Sequence, residues 1–281
     1  MLEAVQTGYR AHNGQWLLRR VSLSVQPGRF YAIAGANGAG KTTLLRLLCG
    51  EMPPSEGCVT WQGRSVATIS ARQMARTRAC LGQNHEGQFP FTAYEVALMG
   101  RTPHLQGAYE SAEDHAIVRA VMDETDVSAL ANRHYPTLSG GEATRTHVAR
   151  ILAQDTAVVL LDEPTNHLDL RRQVETLSMF RRKTAQSGMA VVAVLHDLNL
   201  ASLYADELLV LQKGVTVTQG APRDVLTPEL VRDAFGLQCV VWQHPSGCPW
   251  VVPVHDVSLL SETVDLAMRD TAHAVLEESL R

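Results

Sequence analysis

The feature that most constrains the fold of this chain is a glycine-rich segment, GANGAGKT at residues 35–42. It fits the pattern G-x-x-x-x-G-K-[ST], in which glycines let consecutive backbone N–H groups curl around phosphate oxygens. In such a loop Lys41 reaches the β- and γ-phosphates, and the hydroxyl of Thr42 ligates Mg²⁺. An apolar run at 30–34 precedes the loop and a leucine-rich run at 42–49 follows it. The segment therefore predicts a strand, a phosphate-binding loop and a buried helix, in that order.

A second segment, far along the chain, also predicts phosphate binding. Residues 138–142 (LSGGE) place Ser139, Gly140 and Gly141 directly before a helical run at 142–154. A helix N-terminus there can direct unpaired N–H groups and the positive end of its dipole at an anion. The first segment alone indicates only a P-loop NTPase, and a serine-glycine loop alone is usually a turn. Together they indicate two surfaces that hold the phosphates of one nucleotide from opposite sides.

The remaining hydrophobic pattern predicts an α/β protein with a helical stretch in the middle. Between about 84 and 150 the periodicity is helical, with Thr92 and Glu95 as a candidate capping box and Ser111 opening another helix. Two apolar runs later in the chain are typical of parallel strands covered on both faces. The other predicted elements are strands at 21–25, 30–34, 79–81, 157–161 and 189–195, hairpins at 57–66 and 208–218, and helices at 70–78, 167–186 and 197–204.

Two acidic residues follow the strand predicted at 157–161. Asp162 and Glu163 would lie at its carboxyl end, where open α/β sheets place their ligand sites. Asp162 is the candidate to hold Mg²⁺, directly or through water, and Glu163 is the candidate general base that polarises the attacking water. The alternative is that both are strand-end carboxylates that cap Thr165 or Asn166.

A histidine follows the next predicted strand. His196 comes 33 residues after Glu163, a distance that fits one crossover helix and one strand. We therefore expect it beside Glu163 at the same edge of the sheet, where a neutral imidazole can hydrogen-bond a γ-phosphate oxygen. The alternative is that His196 caps the helix predicted at 197–204.

Composition narrows the possible partners and the compartment. A net charge of −4, with no long basic run, predicts no nucleic-acid surface. No apolar stretch is long enough to span a membrane, and the first residues lack the layout of a secretory signal. We therefore expect a cytosolic chain whose membrane span, where one is needed, comes from another chain. The five cysteines form no C-x-x-C pair and are expected to be reduced and structural.

These segments, in this order, resemble the ATP-binding subunits of ABC transporters over roughly residues 2–253. Residues 35–43 resemble the Walker A motif, 138–142 the signature, 160–163 the Walker B motif and 167–169 the D-loop. By the same resemblance, Gln83 is the Q-loop glutamine, His196 the switch histidine and Tyr9 the aromatic residue that stacks on adenine, with a strand-edge aromatic as the alternative for Tyr9. The other implied ATP contacts are Asn37, Gly38, Ala39, Gly40, Lys41, Thr42, Thr43, Ser139, Gly140, Gly141 and Asp169.

The resemblance also implies a domain organisation of the ABC ATPase type. It comprises a RecA-like core with a mostly parallel sheet and an antiparallel β subdomain (1–83 and 151–217), and an inserted α-helical subdomain (84–150). A C-terminal part at 218–253 completes the ABC ATPase domain at 1–253. Residues 254–281 extend past the family pattern and are expected to form an accessory helical tail.

The implied activity is ATP hydrolysis coupled to transport. The catalytic residues would be Glu163, His196 and Gln83, and Mg²⁺ would be held by Thr42, Gln83 and Asp162. Two copies would form a head-to-tail homodimer, with two ATP molecules sandwiched between the Walker A segment of one copy and residues 139–141 of the other. The dimer would bind a multi-span membrane permease dimer at the cytoplasmic face of the bacterial inner membrane.

Further segments bear on the cargo. Residues 196–201 (HDLNLA) and 225–229 (VLTPE) resemble importers of iron chelates, haem and vitamin B12, and 89–92 with 99–104 resemble the haem-importing branch. This implies a periplasmic haem-binding protein that acts through the permease. Import of a ferric siderophore or of vitamin B12 stays open, as do a soluble ABC ATPase not coupled to transport and a nucleotide-binding adaptor without catalysis.

Some positions depart from the family pattern or fall outside it. Gly82 stands where proline is commoner, and ATRT at 143–146 replaces the usual QQRV, although Arg145 is kept. His244 and Cys248 suggest haem contact, but loop residues beside prolines are the simpler interpretation. We expect catalysis to survive these departures.

Overall fold

The computed structural model describes residues 1–82, 90–105 and 109–254. The strands of its central sheet are β3 (Phe30–Ala34), β6 (Arg78–Leu81), β7 (Val158–Asp162), β8 (Ala190–Val194), β9 (Glu207–Gln212) and β10 (Val215–Gly220). Their order is β10-β9-β3-β8-β7-β6. Five of these strands run parallel, and β10 pairs antiparallel with β9 at one edge. Every residue of β3, β7 and β8 is buried, because the sheet is covered on both faces.

A second, antiparallel sheet lies over one face of the first. It consists of β1 (Leu2–Arg10), β2 (Trp16–Val25), β4 (Glu56–Trp61) and β5 (Arg64–Ser65), in the order β2-β1-β4-β5. Helix α1 (Lys41–Leu48) packs between the two sheets, and its leucines share one hydrophobic core with residues of both. The helix that follows the phosphate loop is therefore fixed from two sides.

The opposite face of the central sheet is covered by helices. The remaining elements are α2 (Ala71–Ala75), α3 (Ala93–Leu98), α4 (Ala112–Glu124), α5 (Gly140–Ala153), α6 (Leu170–Ser187), α7 (Leu198–Tyr204), α8 (Pro222–Val225), α9 (Pro228–Phe235), and a hairpin of β11 (Cys239–Gln243) with β12 (Pro249–Pro253). Helices α3 to α7 share the second core with strands of the sheet. Short 3₁₀ turns lie at Val66–Thr68, Met99–His104, Ser128–Leu130 and Tyr135–Thr137.

A buried arginine links α4 to α5 in the helical stretch that contains α3, α4 and α5. Arg101 Nε donates to Asp114 Oδ1 at 2.8 Å, and Arg101 Nη1 donates to the carbonyl oxygen of Ala153 at 2.8 Å. Hydrogen bonds from Ser111, together with that from Arg101, hold the pKa of Asp114 well below its usual range. The start of α4 is thereby tied to the end of α5, the helix that begins at the second phosphate-binding segment.

Most of the predicted elements are confirmed, including the capping box at Thr92 and Glu95. The crossover helix is shorter than predicted: it begins at Leu170 because Asp169 accepts a hydrogen bond from the N–H of Arg172 and caps it. The helix predicted at 70–78 ends at Ala75, because the chain is already extended in β6 three residues later.

Two predictions fall outside the described residues: Gln83 and, apart from residue 254, the accessory tail. Within the described ranges no helix is long and apolar enough to cross a membrane.

Candidate active site

The loop at 35–42 wraps around the ammonium group of Lys41. Its Nζ donates hydrogen bonds to the carbonyl oxygens of Gly35 at 2.8 Å and Ala36 at 3.1 Å, and the side chain is buried. Gly35 has a φ of 153°, and a Cβ placed there would lie 2.3 Å from the carbonyl oxygen of Leu211. Only glycine fits this position, so the curvature of the loop depends on it.

Glycines also shape the junction between the loop and α1. Gly38 and Gly40 have φ values of 77° and 100°, and a Cβ on Gly40 would lie 2.7 Å from the carbonyl oxygen of Leu17. Helix α1 has Gly40 as its N-cap and has no side-chain cap. Its first N–H groups therefore face the loop, where they can bind phosphate oxygens.

A hydroxyl and a carboxylate meet at the start of α1. Thr42 Oγ1 donates to Asp162 Oδ1 at 3.4 Å, and Asp162, the last residue of β7, is 3% exposed. Burial raises the pKa of Asp162, although the hydrogen bond from Thr42 acts in the opposite direction. Burial lowers the pKa of Lys41, opposed by the charges of Glu163 and Asp162. Hard oxygen donors beside a cationic phosphate cradle fit Mg²⁺, which takes few protein ligands besides phosphate oxygens and water.

Glu163 and His196 form a hydrogen-bonded pair at the ends of neighbouring strands. Strands β7 and β8 are parallel, with Asp162 opposite Val194, so the residues that follow them meet at one edge. His196 Nε2 lies 2.5 Å from Glu163 Oε1, which confirms the expected juxtaposition. The side chain of Glu163 is 10% exposed and that of His196 is 44% exposed. The carboxylate is thus shielded while the imidazole stays accessible.

The surroundings of this pair bear on the alternative interpretations of Glu163 and His196. Asn166 Nδ2 donates to Glu163 Oε2, so Glu163 does contact one residue of the capping alternative. Helix α7 is capped by Asp197, whose side chain accepts from the N–H groups of Asn199 and Leu200, and not by His196. Glu163 itself has a φ of 53°, which is uncommon for a residue with a side chain.

The second segment predicted to bind phosphate lies at the N-terminus of α5. Ser139 Oγ accepts from the N–H of Glu142 at 3.3 Å, and the N–H of Ser139 donates to Glu142 Oε2 at 2.8 Å. Hydrogen bonds to its carboxylate from the N–H and the hydroxyl of Ser139, aided by nearby Arg133, lower the pKa of Glu142. Ser139 and Gly140 are exposed. The capping box therefore fixes the N-terminus of α5 and leaves it exposed to solvent.

This segment packs against the D-loop of its own chain. A Cβ on Gly140 would lie 3.3 Å from the Cβ of His167, and a Cβ on Gly141 would lie 3.3 Å from the carbonyl oxygen of His167. His167 has a φ of 62°. Residues 139–141 and the loop that leads into α6 therefore present one continuous surface.

The remaining residues predicted from the sequence lie in β1, in or beside the phosphate loop and at the start of α6, and one lies outside the described residues. Tyr9 lies in β1 opposite Leu18 and packs, partly buried, against the core that contains α1. Asn37 is exposed and Thr43 is half-buried in α1, close to the phosphate loop, while Asp169 is exposed at the start of α6. Gln83 lies outside the described residues. One edge of the central sheet brings together Lys41, Thr42, Asp162, Glu163 and His196. Ser139 belongs instead to the helical stretch.

One contact at the site was named from the sequence only within the capping alternative, and another was not predicted. Asn166 holds the second carboxylate oxygen of Glu163, and Arg133 Nη1 donates to Glu142 Oε1 at 3.0 Å. The three-residue spacing of Asn166 from Glu163 could have indicated the first contact. No local pattern indicates the second, because Arg133 reaches the box from the preceding loop.

Comparison with known proteins relates this geometry to a family. The sequence profile of the family described as ABC transporter matches residues 18–166. The hemin import ATP-binding protein HmuV of Gloeobacter violaceus is 47% identical over 275 residues, covering 95% of this chain and 99% of that protein. The protein of the same name from Methylobacillus flagellatus is 42% identical over 253 residues, covering 88% and 93% respectively.

Solved structures agree with this fold. An inward-facing ABC transporter of metal-chelate type has a TM-score of 0.77 at 26% identity, covering 92% of this chain and 99% of that one. The dimeric structure of a bacterial ABC transporter cassette has a TM-score of 0.71 at 24% identity, covering 79% and 98% respectively, and shows the fold alone.

Proposed function

The chain belongs to the ABC transporter family, and from this premise we propose that it is the ATP-hydrolysing subunit that powers haem import across the bacterial cytoplasmic membrane. The observation that carries the proposal is the meeting of the phosphate cradle of Lys41 with the Glu163–His196 pair at one sheet edge. Binding groups and a candidate base lie together there, as phosphoryl transfer to water requires.

In the proposed mechanism the phosphate loop binds the triphosphate of ATP. The N–H groups at the start of α1 and the Nζ of Lys41 contact the β- and γ-phosphate oxygens. Mg²⁺, held by Thr42, Asp162 and Gln83, would neutralise charge on those oxygens. The role of Lys41 is supported by its buried position, where its ammonium group already lies against loop carbonyl oxygens.

Glu163 is the proposed general base. Its carboxylate accepts a proton from the attacking water, and Asn166 fixes the carboxylate by holding its second oxygen. His196 hydrogen-bonds the γ-phosphate, and Gln83 joins the catalytic set from the segment that follows β6. The accessible imidazole and shielded carboxylate support this division of roles.

Two copies of the chain complete the proposed site. Residues 139–141 of one copy contact the γ-phosphate bound by the Walker A segment of the other, and Asp169 lies at the same interface. Residues 37–40 and Thr43 surround the phosphates, and Tyr9 stacks on adenine. The exposure of Ser139 and Gly140 at a capped helix N-terminus supports an intermolecular contact.

The proposed domain division assigns each part of the chain a role in this site. Core residues 1–83 and 151–217 bind ATP, residues 84–150 carry the signature segment, and 218–253 complete the domain at 1–253. Residues 254–281 form an accessory tail.

The proposed cargo and partners come from the relatives. Two of them are named hemin import ATP-binding proteins, and the similarity spans nearly the whole chain. The dimer would bind a permease dimer at the cytoplasmic face of the inner membrane, and a periplasmic haem-binding protein would act through that permease. No nucleic acid takes part. Ferric siderophore or vitamin B12 remains the alternative cargo.

The proposal is tested by co-expressing the chain with its permease and measuring ATP hydrolysis in liposomes. We expect stimulation by a haem-loaded periplasmic binding protein and none by the same protein without haem. A response only to a ferric siderophore or vitamin B12 carrier would replace the cargo. ATP hydrolysis that ignores every carrier would contradict the transport role.

A further inference from the structure

Two cysteines beside the phosphate loop are placed for chemistry that the proposed ATPase cycle does not use. Cys49 directly follows α1 and Cys80 lies in β6, yet both line one cavity and each thiol shifts the pKa of the other. Cys49 is 2% exposed and Cys80 is partly buried. The end of α1 and strand β6 thus each place one thiol at the same cavity.

A guanidinium group lies against this pair. Arg78 Nη1 donates to Cys80 Sγ at 3.4 Å. The hydrogen bond from Cys49 lowers the pKa of Cys80, the charge of Arg78 acts in the same direction, and burial opposes both. The same thiol–thiol bond and burial raise the pKa of Cys49 well above its usual range. Cys80 is therefore the nucleophilic partner, because the guanidinium group of Arg78 lies against its sulfur and a neighbouring cation favours the reactive thiolate.

Both cysteines line the same cavity. It has a volume of about 410 Å³, and its lining includes Cys49, Cys80, Thr42 and Asp162. The cavity therefore connects the thiol pair with the side of the site that is proposed to hold Mg²⁺.

We propose that Cys49 and Cys80 are a peroxide-sensitive dithiol whose oxidation to an intramolecular disulfide slows ATP hydrolysis. The thiolate of Cys80 attacks one oxygen of a hydroperoxide, the O–O bond breaks, and a sulfenic acid forms as hydroxide or alkoxide leaves. The thiol of Cys49 then attacks that sulfur, an S–S bond forms, and the sulfenic oxygen leaves as water. The two sulfurs together lose two electrons, and the peroxide is reduced to water, or to water and an alcohol.

The effect on hydrolysis follows from what the bond would connect. A disulfide ties the end of α1, the helix that begins at Lys41, to the strand that leads towards residue 83. Drawing these elements together changes the cavity beside Thr42 and Asp162. Because displacements of about 1 Å can cost up to roughly a hundredfold in rate, we expect hydrolysis to fall by about tenfold or more.

The test exposes the full-length chain to hydrogen peroxide and then alkylates the remaining thiols. Mass spectrometry should find Cys49 and Cys80 joined in one disulfide, and dithiothreitol should restore both thiols and the ATPase rate. Cys80→Ser and Cys49→Ser should keep their activity under peroxide. Cys58→Ser and Cys248→Ser, which alter cysteines elsewhere, should be inhibited like the wild type.

Three results would overturn the proposal. The first is that both thiols remain open to alkylation after peroxide treatment. The second is that Cys80→Ser is inhibited as strongly as the wild type. The third is that the disulfide forms without slowing hydrolysis. Alkylation reads the thiols directly, so it distinguishes failure of this proposal from failure of the transport role. Arg78→Met should slow disulfide formation, since it removes the cation that lies against Cys80.

Discussion

Glycines with positive φ differ sharply in their tolerance of a side chain, and the less tolerant of two such glycines lies in the phosphate loop. Gly35 and Gly63 both have positive φ values, 153° and 77°, but only Gly35 has a carbonyl oxygen where its Cβ would lie. We predict that Gly35→Ala abolishes ATP binding and lowers the free energy of unfolding by about 1–3 kcal/mol. Nucleotide titration and denaturant unfolding measure the two effects.

The matched control is Gly63→Ala, which has the backbone strain without the clash. It should cost stability by about 1 kcal/mol at most and leave ATP binding unchanged. Wild-type ATP affinity in Gly35→Ala would show that the curvature of the loop does not depend on this glycine.

A second prediction at this scale concerns the proposed base. Glu163→Gln should retain ATP binding and lose hydrolysis by roughly 10²–10⁴-fold, because the amide cannot accept the proton of water. Steady-state phosphate release and equilibrium ATP binding separate the two effects. Glu113→Gln, an exposed change in the first turn of α4, should hydrolyse ATP like the wild type. A Glu163→Gln variant with near-normal turnover would remove Glu163 from the mechanism.

At the scale of elements, two helix caps of the same chemistry differ in their predicted roles. Ser139 caps α5 at the site and Ser111 caps α4 away from it, each in a capping box. Either serine changed to alanine should cost about 1 kcal/mol of stability. Only Ser139→Ala should lose turnover, and it should lose turnover more than ATP binding. Equal ATPase rates in the two variants would contradict a catalytic role for the signature segment.

The buried Arg101–Asp114 pair predicts how the helical stretch responds to acid. The folded-state pKa of Asp114 lies below its unfolded value of about 3.9. The stabilisation it contributes is therefore complete above that value and is lost as the pH falls towards the folded-state pKa. Wild type should exceed Asp114→Asn in free energy of unfolding at pH 6, and the difference should shrink below about pH 4.

Urea unfolding at a series of pH values measures this difference. Glu113→Gln, on the same helix turn but exposed, is the control and should show little difference from wild type at any pH. A gap between wild type and Asp114→Asn that stays constant from pH 6 to pH 3 would refute the linkage.

Local patterns predicted more of the elements than of their contacts. The strand–loop–helix at 30–49 and the Thr92–Glu95 box depend on residues close in sequence, so they could be predicted. Arg101 bonding to the end of α5 and the Cys49–Cys80 contact depend on how distant elements pack. For that reason the cysteines were expected to be merely structural.

The contacts of the active site also divide into those that the sequence predicts and those that it does not. Glu163 and His196 could be placed together because the order of parallel strands follows from a crossover connection of ordinary length. The contact of Arg133 with Glu142 could not, because Arg133 reaches the capping box of α5 from the preceding loop.

For the whole molecule, the account requires two chains. The phosphate cradle lies at the start of α1 and the signature segment at the exposed N-terminus of α5. In the proposed sandwich the two segments that hold one ATP belong to different copies, so ATP should bring two chains together. Glu163→Gln with ATP should therefore elute as a dimer in size-exclusion chromatography with light scattering. A monomer that binds ATP fully would contradict the sandwich arrangement.

The central claim is that ATP hydrolysis by this chain drives haem across a membrane. The most direct test is haem uptake in proteoliposomes that contain the chain and its permease, with the haem-loaded binding protein on the side opposite the ATPase subunits. We expect ATP-dependent haem accumulation with the wild type and none with Glu163→Gln, although both assemble with the permease. Haem accumulation that is equal with Glu163→Gln, or that needs no ATP, would contradict the account.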